Sequence, residues 1–409
     1  MSAKEITLTL HDMAHGGEAV GYAEGKAIFV PLAIPGETVR VQIVQEHKRW
    51  ARGHLVQVLE VSPQRTPPPC PYFGLCGGCH WQHIDYQAQL HYKTEIVRHQ
   101  LERIGKQKSP PVQPTIGMAD PWAYRNHIQL AYAPEGALGY YALRSYELIP
   151  INECLIAHPL LNELRAALEV DFEGIERISL RAGVATGEQM VILEGGRELP
   201  ALEVDMPVSC VFWSEAGELF VLAGSSYYHE RLLERTFRIS APSFFQVNTS
   251  QAERMIEIIA QYLELQPYET LLDAYCGVGT FALTLGLSAA HIWGIESSPW
   301  AIADAQANDP DQVVEFIEGD IAQVLADSPI RCDAIVLDPP RTGCTPQALE
   351  ALARCQASRI VYVSCDPATL ARDIATLTQW GYSLSQVQPI DMFPQTYHIE
   401  TIALLRRRS

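Results

Sequence analysis

A chain of 409 residues, with 47% hydrophobic and 19% charged residues, is long enough for two or three domains with large cores. It contains no apolar run that could span a membrane, and its first residues lack a signal-peptide pattern, so we expect a cytoplasmic protein with no membrane partner. Ten unevenly spaced cysteines exclude a disulfide scaffold and favour a ligand set in a reducing compartment.

The formal net charge of −18 excludes a general nucleic-acid coat protein, because phosphate binding requires local positive charge. The charge is uneven, since residues 1–115 hold 12 Lys and Arg against 10 Asp and Glu. Residues 48–52 and 98–108 form small basic clusters there. They are candidate contacts for phosphates, although a solvated turn and a solvated helix end explain them equally well.

Residues 4–61 alternate in short β-like runs that are separated by turns rich in Gly and Pro. The predicted strands are residues 6–10, 27–30, 37–44 and 53–61. Over residues 1–62 this pattern predicts a small OB-like barrel, a fold common among single-strand binders. An SH3-like barrel would give much the same pattern.

Residues 63–240 are predicted to form a β-rich central domain behind a Pro-rich linker at 63–71. Its predicted elements are a long helix at 86–104 and strands at 128–133, 138–141, 178–181, 189–193, 208–213 and 218–222. Cys70, Cys76 and Cys79 precede the helix with the spacing C-x5-C-x2-C. The spacing indicates ligands of an iron–sulfur cluster or of zinc, with His80 or His83 as further zinc ligands, and leaves both possibilities open.

Residues 241–409 alternate between helical stretches and apolar strands, which is typical of the α/β class with a doubly wound parallel sheet. The predicted strands are residues 270–274, 291–296, 313–317, 333–338 and 359–363. Ser250 to Glu253 reads as a capping box that begins a helix.

A strand-to-helix turn at residues 271–280 contains Gly277 and Gly279, which permit close approach of a ligand to the backbone. The third glycine of a dinucleotide fingerprint is missing. Glu296 ends the next strand, where a carboxylate can bind both ribose hydroxyls. The combination favours S-adenosylmethionine, a nucleoside without phosphates, and Asp320 is placed to bind its adenine edge. The alternative is a glycine turn that only packs a helix.

Two strand ends supply reactive groups. Asp338 closes one strand and Cys365 the next, at the edge where open α/β sheets bind ligands. A thiol there is either a nucleophile or a buried, inert cysteine. C5 of uracil is too weak a nucleophile to accept a methyl group until a thiolate adds at C6, and a base must then remove the C5 proton. Glu400, just before a late apolar strand, is a candidate base.

These residues resemble the RNA uracil-C5 methyltransferases, in the larger iron–sulfur form of that family. The similarity covers nearly the whole chain, in the segments CPYFGLCGGC (70–79), FQVN (245–248), LLDAYCGVGT (271–280), DPPRTG (338–343), SCDPATLARD (364–373) and MFPQTYHIET (392–401). The resemblance implies a Rossmann-like class I methyltransferase domain at 241–409, a TRAM barrel at 1–62 and a central iron–sulfur domain at 63–240.

The resemblance also implies roles for single residues. Cys365 matches the nucleophile and Glu400 the base. The positions that match the cofactor pocket are Gln246, Tyr275, Gly277, Gly279, Thr280, Glu296, Asp320 and Asp338. Many members have Asn where this chain has Asp366, which puts a charge beside the thiol, and Tyr275 stands where Phe is common.

A [4Fe–4S] cluster on Cys70, Cys76, Cys79 and the distant Cys154 is also implied, in preference to zinc. Its role is expected to be structural, since methyl transfer has no redox step.

The implied substrate is RNA, with 23S ribosomal RNA favoured and the T-loop of transfer RNA as the alternative; no obligate protein partner is expected, and the chain should act as a monomer. Phe245, Phe393 and Tyr397 are candidates for stacking a flipped-out base. Two rival interpretations remain. The first is methylation of cytosine C5, with Cys344 as a second thiol. The second is an RNA-binding or folding factor without catalysis, which predicts loss of reactive residues that are present here.

Overall fold

The computed structural model describes residues 4–133, 136–168, 174–200, 206–286 and 289–408. A closed barrel, two seven-stranded sheets and a two-stranded ribbon organise these ranges. Within them, every helix is too short or too polar to cross a membrane.

The N-terminal strands are β1 (Glu5–Met13), β2 (Ala19–Ala23), β3 (Lys26–Val30), β4 (Thr38–Glu46) and β5 (Trp50–Glu60). They close into a barrel in the order β1-β2-β3-β5-β4, because β4 pairs with both β5 and β1. Alternate residues such as Leu8 and Leu10 point into its core. The predicted small barrel is confirmed, but sequence analysis missed β2.

The long helix of the central region, α1 (Tyr86–Arg103), begins where it was predicted. Asp85 is its N-cap, and its carboxylate accepts hydrogen bonds from the amides of Gln87 and Ala88 at 3.0 and 3.3 Å. Gln89 and Lys93 lie on its buried face. This face packs against the C-terminal part of the chain, described below.

The central sheet contains β6 (His127–Tyr132), β7 (Leu138–Tyr141), β8 (Leu148–Pro150), β9 (Arg177–Ala182), β10 (Gln189–Glu194), β11 (Ser209–Trp213) and β12 (Leu219–Ala223), with α2 (Pro159–Ala167) packed against it. Its order is β12-β11-β10-β9-β6-β7-β8, and β10 and β11 are its parallel pair. The ribbon of β13 (Tyr227–Leu232) and β14 (Arg235–Ser240) follows. The β-rich character predicted for this region is confirmed.

The C-terminal sheet contains β15 (Thr270–Ala274), β16 (His291–Glu296), β17 (Glu315–Glu318), β18 (Ala334–Leu337), β19 (Arg359–Ser364), β20 (Tyr382–Ile390) and β21 (Glu400–Arg407). The helices around it are α3 (Thr249–Leu263), α4 (Thr280–Leu285), α5 (Pro299–Ala307), α6 (Ile321–Asp327), α7 (Pro346–Arg354) and α8 (Pro367–Gln379). α1 packs against α8 and β20.

The strand order of this sheet is β17-β16-β15-β18-β19-β21-β20. The strands β15 to β19 are parallel as predicted, and the order reverses between β15 and β18, which creates a crevice at their carboxyl ends. The last two strands were not predicted as they are. β21 inserts antiparallel between β19 and β20, so its first residue lies at the carboxyl edge of the parallel strands.

The predicted capping box at Ser250 is wrong. α3 begins at Thr249, and its N-cap is Asn248, whose side-chain oxygen accepts a hydrogen bond from the amide of Gln251 at 3.3 Å. Asn248 also donates to the carbonyl of Met392 at 3.1 Å, so this cap joins α3 to the chain before β21.

Candidate active site

The turn between β15 and α4 combines two glycines with different roles. Gly279 has φ +86°, which favours glycine, and a Cβ there would lie tightly against Leu283 at 3.0 Å and Phe316 at 3.1 Å. A Cβ on Gly277 would meet no atom within 4 Å, so its backbone faces open space. The amide of Gly277 donates to the Glu296 carboxylate at 3.2 Å, which brings the turn and the end of β16 together.

The remaining turn residues follow the same geometry. Tyr275 leaves β15 with φ +65°, and Thr280 is the first residue of α4 after the left-handed cap at Gly279. Burial raises the pKa of the Tyr275 hydroxyl, and the charges of Cys344 and Asp320 raise it further. The structure therefore brings Tyr275, Gly277, Gly279, Thr280 and Glu296 to one side of the crevice.

Asp338 lies across that crevice. Its amide donates to the carbonyl of Ala274 at 3.4 Å, and its carboxylate accepts a hydrogen bond from Gln246 at 3.3 Å. Burial raises the pKa of Asp338 to about 7. Gln246, from the segment between β14 and α3, thus joins the same edge as the turn.

Asp320 is exposed and caps α6, with its carboxylate accepting from the amides of Ala322 and Gln323 at 2.9 and 3.1 Å. A second acceptor position on the carboxylate is free for another donor, because both amides bind the same oxygen. The structure places this residue within electrostatic reach of Tyr275.

Cys365 and Glu400 come together because of strand pairing. Ser364 of β19 pairs with Thr401 of the antiparallel strand β21. Cys365, which follows Ser364, is therefore a neighbour of Glu400, which precedes Thr401. Glu400 is 3% exposed, and Cys365 is half-buried. Burial raises the pKa of the thiol to about 12, and the charges of Glu400, Asp338 and Asp366 also raise it. Burial and the Asp338 charge raise the pKa of Glu400.

Sequence analysis missed two residues around the thiol. Arg341 lies with its Nε 3.8 Å from the Asp366 carboxylate, and its charge lowers the thiol pKa. His15, from the barrel, lies 3.6 Å from the same carboxylate. Arg341 sits in a segment that the motifs identified, whereas nothing in the sequence pattern connects His15 to a residue so distant along the chain.

Asp366 itself has a structural role. It is the N-cap of α8, and its carboxylate accepts hydrogen bonds from the amides of Ala368 and Thr369 at 2.9 and 3.0 Å. The charge expected beside the thiol is therefore present, held between a helix N-terminus and Arg341.

The four cysteines named from the sequence line one cavity of about 40 Å³. Cys70, Cys76 and Cys79 come from the segment before α1, and Cys154 comes from the connection between β8 and α2. Burial raises the pKa of Cys79 to about 12 and also raises the pKa values of Cys76 and Cys154.

The rest of the cavity wall is mostly apolar and aromatic, and Arg125 and Glu153 are its charged residues. His80 and His83 are not among its lining residues. Across the described ranges, no three His, Cys, Asp or Glu side chains converge closely enough to hold a single metal ion.

The aromatic candidates for base stacking divide into two groups. Phe245 is 7% exposed and packs in a hydrophobic core against Phe237, so the prediction that it stacks a flipped-out base is not supported. Phe393 and Tyr397 are half-buried and flank His398, with ring centroids 5.7 and 4.4 Å from it. They lie in the segment that precedes Glu400.

Comparison with known proteins places these residues in context. Residues 229–327 and 322–408 match the tRNA (uracil-5-)-methyltransferase family, and residues 1–56 match the TRAM domain. An uncharacterized RNA methyltransferase of Halalkalibacterium halodurans is 38% identical, over 99% of this chain and 97% of the relative. One from Listeria innocua is 35% identical, over 99% of this chain and 98% of the relative.

The crystal structure of Pyrococcus abyssi tRNA (uracil-54, C5)-methyltransferase in complex with S-adenosyl-L-homocysteine is also similar. Its TM-score is 0.77 at 26% identity, and the match covers 98% of this chain and 100% of that chain. The similarity therefore extends over the barrel, the central sheet and the C-terminal sheet together.

Proposed function

Since this chain belongs to the RNA (uracil-5-)-methyltransferase family, we propose that it methylates C5 of one uracil in a structured RNA through a covalent adduct on Cys365, with Glu400 as the base. S-adenosylmethionine, the methyl donor of the family, supplies an electrophilic methyl group. The observation that carries the proposal is the antiparallel register of β19 and β21, which puts a thiol and a carboxyl side by side at the crevice.

The residues that would hold the donor lie on both sides of that crevice. Glu296 would accept hydrogen bonds from the ribose hydroxyls, and Asp320 would bind the adenine edge. Gly277 leaves space for a ligand against the backbone, and the linked pair of Gln246 and Asp338 closes the other side.

The protonation states suggest an order of events. With Glu400 protonated, its contribution to raising the Cys365 pKa disappears, and Arg341 favours the thiolate. The thiolate lone pair would form the bond to C6 of uracil while the C5=C6 π pair moves into the enolate of C5, C4 and O4. C5 would then take the methyl group of the sulfonium donor, which leaves as the neutral thioether S-adenosylhomocysteine. The Cys365 sulfur is then an uncharged thioether, so Glu400 can ionise beside it by releasing its proton to solvent, which is the one proton that the overall reaction liberates.

Ionised Glu400 removes the C5 proton, the enolate re-forms, and the C6–S bond breaks to release the Cys365 thiolate and methylated RNA. Each group is thus charged only at the step that uses it. Burial of both side chains supports this sequence, because two adjacent charges in a buried site repel strongly.

The position of Cys344 supports uracil, and not cytosine, as the base that is methylated. The rival chemistry requires Cys344 to act as a second thiol. Cys344 is 4% exposed, its amide donates to Asp373, and the hydroxyl of Tyr362 lies 3.7 Å from its sulfur. A thiol held in this way beneath the loop is poorly placed to reach a base.

We further propose that Cys70, Cys76, Cys79 and Cys154 hold a [4Fe–4S] cluster. Four thiols around one cavity supply its ligand set, and no histidine lines the cavity, as a mixed zinc site would require. A four-iron cluster is wider than one ion, so its ligands need not converge on a point. The cluster would act by fixing the chain before α1 and the chain before α2 relative to each other. Iron and sulfide analysis of anaerobically purified protein tests this assignment.

For the RNA we propose 23S ribosomal RNA, with a transfer RNA T-loop as the second candidate, which the Pyrococcus abyssi relative supports. We propose that the chain acts as a monomer. Mass mapping of 5-methyluridine in total RNA, with and without the gene, tests both the reaction and the substrate.

The catalytic assignment has a direct test. We expect Cys365→Ala to abolish methyl transfer, whereas Cys210→Ala, which removes a buried thiol from the central sheet, should keep it. Methyl transfer that survives Cys365→Ala would rule out the covalent mechanism.

A further inference from the structure

The segment that precedes Glu400, residues 391–399, is held from outside its own sheet. It connects β20 to β21 without helix or strand, so its backbone groups need partners elsewhere. We call it the base segment, because it ends at the proposed base. Most of its partners come from residues 80–124, which precede the C-terminal sheet in the chain, and Asn248 binds the carbonyl of Met392.

Gln395 is the centre of these contacts. It is 3% exposed and has φ +67°, a conformation that its surroundings must stabilise. Its carbonyl accepts hydrogen bonds from the amides of His80 and Trp81, both at 3.0 Å. Because His80 directly follows Cys79, the backbone that leaves the cysteine cavity binds the base segment directly.

Gln89 of α1 completes the contact. Its Nε2 donates to Oε1 of Gln395 at 3.0 Å, and its Oε1 accepts from the amide of Gln395 at 3.2 Å. The same Nε2 faces the carbonyls of Trp81 and Ile84 at 3.1 and 3.0 Å. Four partners fix the orientation of this buried amide, and one side chain joins the cysteine segment, α1 and the base segment.

Two further contacts surround this amide pair. Lys93, one turn along α1, donates to the carbonyls of Phe393 and His398 at 3.2 and 2.8 Å. The hydroxyl of Tyr124 donates to the carbonyl of Pro394 at 3.0 Å. Glu400 is paired with Ile390 at the start of β21, so its position depends both on the sheet and on the base segment, which residues outside the sheet hold. Cys365 and the glycine turn, in contrast, are carried by β19, β15 and α4.

We infer that Gln89 is a positioning residue for the step that removes the C5 proton, acting through Gln395 on the base segment. The inference rests on the proposed covalent mechanism. Loss of the amide pair would displace Glu400 while leaving Cys365 and the cofactor turn in place. Adduct formation and methyl transfer would continue, but elimination would slow, so the methylated RNA would remain bonded to Cys365.

The test compares Gln89→Leu with Gln87→Leu, a change of the same residue type on the exposed face of the same helix. The readouts are the fraction of protein in denaturant-resistant complexes with substrate RNA, and amide hydrogen exchange of residues 391–399. Gln89→Leu should raise the adduct fraction at least several-fold and speed exchange, while Gln87→Leu stays at wild-type values.

Gln395→Asn is the second variant, because Asn tolerates a positive φ and keeps the backbone amide and carbonyl, but its shorter side chain cannot accept the hydrogen bond from Nε2 of Gln89. It should give the same adduct phenotype, which keeps the inference testable if Gln89→Leu misfolds. Glu400→Gln serves as the positive reference for an adduct that cannot be resolved.

The outcomes distinguish failure of the inference about Gln89 from failure of the proposed covalent mechanism. If Glu400→Gln accumulates an adduct but both amide variants stay at the wild-type level, or lose iron and stability without accumulating one, Gln89 has only a structural role. If Glu400→Gln forms no adduct either, the covalent mechanism is wrong, and the inference fails with it.

Discussion

The Cys365 thiol is surrounded by more negative than positive charge. Glu400, Asp338 and Asp366 raise its pKa, and Arg341 lowers it. His15 also faces Asp366, but burial lowers the pKa of its imidazole, so it adds little positive charge near neutral pH. Of these groups, Asp366 can lose its charge with the least structural change, because Asn is also a good N-cap residue.

We therefore expect Asp366→Asn to lower the thiol pKa, since removal of a nearby like charge favours the thiolate. Arg341, freed from its carboxylate partner, acts in the same direction. The measurement is the pH dependence of Cys365 alkylation without RNA, which should shift to lower pH. Asp85→Asn, which alters the N-cap of α1, is the matched control and should leave the profile unchanged. An alkaline shift in Asp366→Asn would contradict this account of the site.

The buried face of α1 carries an ion pair that joins this helix to the base segment. Lys93 and Asp391 are both fully buried and lie 2.6 Å apart, so the ion pair links α1 to the beginning of the base segment. Burial lowers the Lys93 pKa, and the adjacent carboxylate opposes that effect. Removal of the cation would leave Asp391 as an uncompensated buried charge.

We expect Lys93→Met to lower the free energy of unfolding by about 3–5 kcal/mol, as for other broken buried pairs. The double variant Lys93→Met/Asp391→Leu should recover much of the loss, because both charges are then gone. Arg98→Met breaks a half-exposed pair with Glu95 on the same helix and should cost about 0–1 kcal/mol. Denaturant titration measures all three. A Lys93→Met loss no larger than that of Arg98→Met would mean that the pair contributes little.

The elements themselves show what local sequence can determine. The bounds of β15 and β16 were predicted to the residue, because each is a short apolar run between turn signals. The start of α1 was predicted equally well. The antiparallel direction of β21 was not predicted. It depends on the strands that β21 pairs with, and the side-chain pattern of a strand does not specify its partners.

The same contrast holds for the site. Cys365 and Glu400 could be named from motifs, whereas their proximity depends on the β19–β21 register. Gln89 and His15 gave no signal in the sequence, since they contact residues more than 300 positions away along the chain. Local pattern therefore named the proposed reactive groups, and tertiary contacts revealed residues that are proposed to act on them.

At the scale of the whole molecule, the barrel lies against the site instead of extending from it. The Trp81 indole donates to the carbonyl of Gly17 at 3.1 Å, and Arg144 lies 3.1 Å from Glu18. A Cβ on Gly17 would lie 2.7 Å from Tyr397, so barrel and base segment are in close contact. An RNA held at the crevice would therefore pass close to the barrel.

The net charge of −18 makes the position of free cations important for RNA binding. In the basic turn between β4 and β5, Lys48 and Arg49 are exposed, while Arg52 is paired with Glu18 at 2.8 Å. Trp50 in the same turn is half-buried and stacks on His47. Lys48 and Arg49 are therefore the residues of this cluster that are available for phosphates.

We expect Lys48→Ala/Arg49→Ala to weaken RNA binding. The slope of log affinity against log salt should become smaller by about 1 to 2, because each phosphate contact that is lost no longer releases a counterion from the RNA. Arg406→Ala/Arg408→Ala removes the same charge from the end of β21, which pairs with the start of β19 at the opposite edge of the sheet. Filter binding of substrate RNA across a salt series separates the two variants. Equal slopes would mean that overall charge, and not the barrel turn, determines the affinity. A change confined to the barrel variant would identify this turn as an RNA contact instead of a solvated loop.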